Sequence, residues 1–297
     1  MSADRRLSDL LAAPGVLTLP GVYDGISARL AERAGFPALY MTGYGVTASA
    51  LGLPDAGLAS ATDMLDRVRM LAETVSLPFI ADGDTGYGGL LNVDRTVRRY
   101  AAAGASGIQI EDQEFPKKCG HTPRRRIVPI QEAERRVRVA VAARPARDFL
   151  IVARTDALGV AGIEEALRRG ERFLHAGADI LFIESPESLE DLRRIGATFR
   201  GANLLANLVE GGRTPLLAPS ELGALGFKIA LYPATGFLAA AEALARAYGA
   251  LKACGESTGL ALYSFDAMNR LMGFPQVYEF EQHWAFEQHW AEREEKP

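Results

Sequence analysis

Short apolar runs rich in β-branched and aromatic residues recur along the chain, each followed by a segment of helical length rich in Ala, Leu, Arg and Glu. Runs of this length bounded by turn residues read as strands, and the longer segments between them as helices. The first strand is Leu17 to Asp24, followed by a helix from Ile26 to Ala34. The others are Ala38 to Gly43, Pro78 to Asp84, Gly107 to Asp112, Phe149 to Asp156, Ile180 to Ser185, Leu204 to Val209 and Lys228 to Pro233. Strand-helix alternation implies a parallel sheet, and eight units in under 300 residues favour closure into an α/β (β/α)8 (TIM) barrel over an open doubly wound sheet. Ala34-Gly35-Phe36, Ala103-Gly104-Ala105 and Ala176-Gly177-Ala178 end helices with a glycine that supplies a left-handed cap.

The pattern fails in two places. From Asp112 to Pro129 there is no apolar period and the stretch is longer than a usual strand-helix loop, so it is a lid or a disordered insertion, and its cysteine favours a lid. After the eighth unit, Asp266 to Trp290 reads as a helical tail in which Phe280-Glu-Gln-His-Trp-Ala285 is repeated as Phe286 to Ala291. The expectation is one barrel domain over 1–297, with 252–297 a C-terminal helical extension.

Composition narrows the class. With 48% hydrophobic residues the chain can fill one large core. A formal charge of -4 provides no overall basic field, which excludes nucleic acid and anionic membranes as expected partners. The 2 cysteines, Cys119 and Cys254, lie far apart without metal-finger spacing, which fits a reducing, cytoplasmic setting. Met1 to Leu11 lacks the apolar core of a signal peptide, and the most apolar helix, near 235–254, is interrupted by Glu242 and Arg246, so no membrane segment is expected.

Chemistry concentrates where the apolar runs end, because catalytic groups of such barrels sit at the C-terminal ends of the strands. Tyr40 and Thr42 close the second strand, Asp82 and Asp84 the third, Glu111 and Asp112 the fourth, Arg154 and Asp156 the fifth, Glu184 the sixth, and Asn207 with Glu210 the seventh. Asp82 and Asp84 are two apart, which on an extended strand aims both carboxylates to one side, with Glu111 within reach on the next strand. Three converging hard oxygens without His or Cys suit Mg2+ or Mn2+; helix caps and surface ion pairs are the structural alternative. Arg154, leaving an apolar run, reads as a carboxylate or phosphate clamp, an internal ion pair with Glu184 or Asp156, or both. In Lys117-Lys118-Cys119-Gly120-His121 the cationic neighbours favour a thiolate, and Cys119 reads as an active-site acid or base. Cys254 reads as a bystander and His175 as a helix C-terminal residue. A Schiff-base lysine is disfavoured, since Lys228 opens its strand.

These motifs together resemble the isocitrate lyase and phosphoenolpyruvate mutase superfamily, over nearly the whole chain from Leu17. Lys117 to His121 is similar to the lyase branch's catalytic loop, Asp82-Gly-Asp84-Thr-Gly-Tyr-Gly88 to its metal-binding strand end, Leu51-Gly-Leu-Pro-Asp55 to the segment with the gating aspartate, and Ala206-Asn207 with Glu210-Gly-Gly-Arg-Thr-Pro215 to the seventh-strand motif. The resemblance implies a barrel with its last helix swapped between subunits, a homotetramer built as a dimer of dimers, Mg2+ dependence and 2-oxo or 2-hydroxy acid substrates. By position it implies that Tyr40, Thr42, Gly43 and Tyr44 border the substrate and that Asp82, Asp84 and Glu111 hold the metal. Arg154, Glu184 and Asn207 would line the pocket, with Gly120 and His121 beside the substrate and Asp55, Lys117 and Lys118 forming the gate. Cys119 is then the acid, and Tyr40 a partner for the hydroxyl proton. Leu238 stands where methylisocitrate lyases carry an arginine, and Tyr44 replaces a small residue. The activity implied is carbon-carbon cleavage of a 2-hydroxy dicarboxylate, with oxaloacetate hydrolysis or phosphonomutase chemistry as alternatives.

Overall fold

The computed structural model describes residues 6–294, with side chains described through Trp284. Eight parallel strands close in sequence order: β1 (Leu17–Val22), β2 (Leu39–Met41), β3 (Phe79–Asp82), β4 (Gly107–Glu111), β5 (Leu150–Thr155), β6 (Ile180–Ile183), β7 (Leu204–Asn207) and β8 (Phe227–Tyr232). Strand β8 returns to pair with β1, Leu17 opposite Ile229 and Pro20 opposite Tyr232, so the sheet has no open edge. The expected (β/α)8 barrel is present.

Each strand stops one or two residues before its apolar run does. The residues past the ladder have other work. Asp24 accepts from the Ser27 amide at 2.7 Å as the cap of α2 (Gly25–Arg33). Thr42 caps the short α3 (Gly43–Val46), and Asp84 and Ser185 turn at φ 47° and 56°. Such turns aim their side chains over the barrel mouth instead of along its wall.

Inside the barrel, Leu19, Ile80, Val152, Ile180, Phe182, Leu205 and Ile229 form one core, to which the first helix, α1 (Leu7–Ala12), adds Leu7 and Leu11. Two outer cores lie between the strands and the helices α2, α4 (Ala61–Thr74), α5 (Leu90–Ala102), α6 (Ile130–Ala143), α8 (Ile163–His175), α9 (Leu189–Thr198) and α10 (Pro219–Ala224); the four-residue α7 (Leu158–Ala161) precedes α8.

Packing divides the chain into two compact units, one ending at Ala240 and one starting at Ala241. The boundary falls inside α11 (Thr235–Cys254), a helix with no buried residue. In the second unit α12 (Phe265–Met272) and α13 (Phe274–Glu294) are joined at Gly273, whose φ of 94° ends α12 in a left-handed cap. The first copy of the Phe-Glu-Gln-His-Trp-Ala duplication lies on α13; the side chains of the second copy fall outside the described ones. Among the described residues no helix is long and apolar enough to cross a membrane.

Candidate active site

At the strand ends, three neighbouring strands supply a hydrogen-bonded floor. The Tyr40 hydroxyl donates to Gln109 Oε1 at 2.6 Å, and Gln109 Nε2 donates to Asp82 Oδ1 at 3.2 Å. Asp82 also lies against Gly43, where a Cβ would sit 2.5 Å from its Oδ2, so the close approach requires glycine. Burial, with Asp82 adding to it, holds Tyr40 well above the usual phenol range. Tyr40 is thus held as a neutral phenol that donates to Gln109. Gln109 was missed in the sequence: a lone uncharged residue between Ile108 and Ile110 does not show whether it faces core or site.

The chain turns after β3, and Asp84 takes its carboxylate to Lys117 Nζ at 2.5 Å. Lys117 in turn reaches Asp55 Oδ1 at 2.6 Å, and the two carboxylates outweigh its burial and keep it a firm ammonium. Asp84 lies beyond the end of β3, in a left-handed turn, and its amide donates to Asp82 Oδ1 at 3.1 Å. Among the described residues no group of three carboxylate, histidine or cysteine side chains is drawn together tightly enough to cage a metal without water. The chemistry of the set nevertheless fits a hard dication. Burial lifts Asp84 to about 7 even against Lys117, and lifts Glu111 well above the carboxylate range even against Arg154. Glu111 Oε1 has no hydrogen-bond partner. Carboxylates this short of compensation are what Mg2+ or Mn2+ would neutralise, with water completing the shell.

Arg154 proves to be an internal hub. Its Nε and Nη2 donate to Asp156 at 2.9 and 3.0 Å, and it stands 3.3 Å from Glu184 and 3.5 Å from Glu111. Its guanidinium also lies 5.1 Å from the centre of the Phe182 ring. Burial would raise Glu184, but Arg154 and His121 overcome it and hold that carboxyl well below its usual range.

The 112–129 segment is ordered and folded over these groups. The Cys119 amide donates to the Asp55 carbonyl at 3.1 Å, and Ser185 Oγ donates to the Gly120 carbonyl at 3.0 Å. Gly120 is so close to Arg154 and Glu184 that a Cβ there would overlap both. His121 Nε2 lies 3.2 Å from Glu184 and 3.3 Å from Asn207 Nδ2, while its Nδ1 accepts from the Arg213 amide at 3.1 Å. Lys118 is not part of the Lys117 latch. Its backbone is clasped by the Gln113 side chain, and its ammonium reaches toward the Arg124 carbonyl.

The charge state of Cys119 is set by burial: Lys117 is held by Asp55 and Asp84, the adjacent Lys118 reaches away toward the Arg124 carbonyl, and burial pushes the thiol up to about 11. It is a protonated thiol, able to act as an acid.

Between segment and strand ends lies a cavity of about 270 Å3. Tyr40, Thr42, Asp82, Arg154, Glu184 and Asn207 face it from the barrel, and Asp55 with 117–122 from above. Gly43, Asp84 and Glu111 stand behind this lining. One wall is apolar: Tyr44 packs on Phe237 with ring centres 5.2 Å apart, next to Leu238 and Leu231.

A cavity at the C-terminal mouth of a (β/α)8 barrel, walled by buried carboxylates, an arginine and a thiol, defines a barrel enzyme for a small anionic molecule. Residues 7–252 match the phosphoenolpyruvate phosphomutase family. The chain is 45% identical to the 2,3-dimethylmalate lyase of Eubacterium barkeri over 95% of its own length and 98% of the relative's. Its fold superposes on oxaloacetate acetylhydrolase in complex with the inhibitor 3,3-difluorooxalacetate with a TM-score of 0.90 at 36% identity, covering 94% and 96% of the two chains. Phosphonopyruvate hydrolase in complex with oxalate and Mg++ gives 0.85 at 32% identity, covering 96% and 100%. The chain belongs to the isocitrate lyase and phosphoenolpyruvate mutase superfamily, and within it is a carbon-carbon lyase of the lyase branch.

Proposed function

We propose that the enzyme cleaves a 2-hydroxy dicarboxylate of the 2-alkylmalate type between C2 and C3, releasing a 2-oxo acid such as pyruvate and a second carboxylate. The observation that carries this reading is the division of the cavity. Arg154, His121, Asn207 and Thr42 offer donors to carboxylate and hydroxyl oxygens on one side, whereas Tyr44, Phe237 and Leu238 offer an alkyl group an apolar wall on the other. At Leu238 a third carboxylate would meet no cation, which argues against a methylisocitrate-type tricarboxylate. The likeness to a 2,3-dimethylmalate lyase supports the same choice.

In the reaction the C2 hydroxyl proton passes to a strand-end carboxylate, for which Asp82 lines the cavity and Tyr40 does not serve. As the C2–C3 bond breaks, its electron pair moves to C3 and the attached carboxylate as an enediolate. The Cys119 thiol then delivers its proton to C3, and solvent later restores it. Arg154 and Lys117 offset the developing negative charge inside a space from which the 112–129 segment excludes water. Mg2+, with Mn2+ as a substitute, held by Asp82 with Glu111 and Asp84 through water, would supply positive charge for the 2-oxygen.

A homotetramer with α11 packed on a neighbouring subunit is part of the proposal, supported by the exposure of Leu244, Tyr248 and Leu251 along a helix with no buried residue. A reducing cytoplasmic setting is supported by the 2 free cysteines. Oxaloacetate hydrolysis to oxalate and acetate is the second reading, favoured by the fold likeness to oxaloacetate acetylhydrolase.

The test is an NMR turnover screen with Mg2+, offering 2,3-dimethylmalate, other 2-alkylmalates, 2-methylisocitrate, oxaloacetate and phosphonopyruvate. Pyruvate from an alkylmalate, abolished by EDTA and restored by Mg2+, is the expected result. Oxalate from oxaloacetate with no alkylmalate turnover would replace the first reading by the second.

A further inference from the structure

We propose that Arg125 is a positioning residue: a second latch of the 112–129 segment, which fixes Arg154 as the segment closes. The inference rests on the reading of that segment as a lid. Of the basic run Arg124-Arg125-Arg126, the outer two are exposed, whereas the Arg125 side chain is 2% exposed. Its Nη1 donates to Asp156 Oδ1 at 2.7 Å. That same oxygen accepts from Arg154 Nη2 at 3.0 Å, so one fully buried carboxylate is shared between a lid arginine and the arginine of the cavity.

Asp156 is held where it is by groups outside the lid's tip. Its amide donates to Asp112 Oδ1 at 2.9 Å, and Asp112 Oδ2 is held by Thr155 Oγ1 at 2.7 Å and Arg169 Nη1 at 2.9 Å. With its backbone anchored on that side, Asp156 cannot follow Arg125 outward when the lid lifts. Arg154 would then be the sole cation on Asp156, free to tilt toward the Oδ1 that Arg125 had occupied. Docking of Arg125 instead leaves Arg154 Nη1 to Glu184 at 3.3 Å on the cavity side. Lys117 and Arg125 stand on either side of Cys119 to His121 in the chain, so the thiol is pinned from both ends, by Asp55 with Asp84 and by Asp156.

The seat for Arg125 is shaped by a glycine. A Cβ on Gly159, in α7, would overlap Arg125 Nη2, although the backbone there is not of the kind that itself demands glycine. Gly159→Ala therefore displaces the guanidinium without altering any charge or any group of the cavity.

The experiment measures iodoacetamide alkylation of Cys119 at pH 8.5 in a Cys254→Ser background, where it is the remaining thiol. Arg125→Ala, Gly159→Ala, the double variant and Arg125→Lys are compared with the parent, with thermal melts confirming that each is folded. Arg125→Ala and Gly159→Ala should each alkylate about tenfold faster, a shift of roughly 1.4 kcal/mol in lid closure. The double variant should be no faster than Arg125→Ala, since without the guanidinium the added methyl displaces nothing. Arg125→Lys, with the charge but not the fork, should fall between Arg125→Ala and the parent. Parental alkylation in Gly159→Ala, or a double variant whose acceleration is the product of the singles, would overturn the latch. Lower melting temperatures with Cys119 still protected would also overturn it, by reducing Arg125 to a structural role. Because alkylation needs no substrate, the latch can stand or fall whether or not any alkylmalate is cleaved.

Discussion

Cys119 shows how far a residue's neighbours in sequence differ from its neighbours in space. Two lysines and a histidine within two residues point to a thiolate, yet one lysine is consumed by Asp55 and Asp84, the histidine is turned to Glu184, and burial dominates. In a Cys254→Ser protein, the pH profile of Cys119 alkylation should rise with a midpoint near 11, not near the 9.0 of an ordinary thiol. The unfolded chain then releases this proton first as pH rises. The stability contributed by keeping the thiol neutral is whole below pH 9.0 and is lost as pH climbs toward 11. A midpoint at or below 9.0 would return the thiolate reading. The rest of the site was legible to different degrees. Asp82, Glu111, Arg154, Glu184 and Asn207 announced themselves as polar ends of apolar strands. Gln109 did not, because an uncharged residue within a strand carries the same pattern whether it faces core or site. Asp84 was visible, but its left-handed turn was not, because that depends on a backbone geometry strand periodicity cannot show.

Among the elements, all eight strands could be placed from apolar runs, since burial on a closed barrel leaves a signal that does not depend on distant contacts. Their C-terminal limits were overrun because Asp24, Thr42 and Asp84 end apolar runs while belonging to caps and turns. The helix α1 was missed, its six residues being too few for a period, and what defines it is the burial of Leu7 and Leu11 in the barrel core. Helix packing makes its own prediction at Gly196 on α9, where a Cβ would overlap the Leu225 carbonyl oxygen just after α10. Backbone cannot yield as a flexible side chain does, so Gly196→Ala should destabilise by about 1–3 kcal/mol. A calorimetric melt should show a fall of roughly 2–5 °C, with activity per folded molecule retained. An unchanged melting temperature would mean that the helices separate freely there.

At the scale of the whole molecule, the unit from Ala241 carries more exposed apolar side chains than a lone helical hairpin can cover, among them Leu244, Tyr248, Phe265, Tyr278 and Phe280. If α11 is an intersubunit helix, Leu244→Glu with Tyr248→Glu should drop the mass seen by light scattering from four chains to two or one, whereas an unchanged mass would put the interface elsewhere. The sequence could show that this helix is apolar but not what covers it, because a partner leaves no periodic mark. In the proposed mechanism one proton decides the outcome, the one that Cys119 would deliver to the carbon released from C2. The most direct test is cleavage of 2,3-dimethylmalate in D2O with Mg2+, following the propionate by NMR in the parent and in Cys119→Ser. The parent should place one deuterium on the methylene carbon with a single stereochemistry, and Cys119→Ser should lose about 10²–10⁴-fold in turnover. Parental turnover with the same stereochemistry in Cys119→Ser would contradict the account.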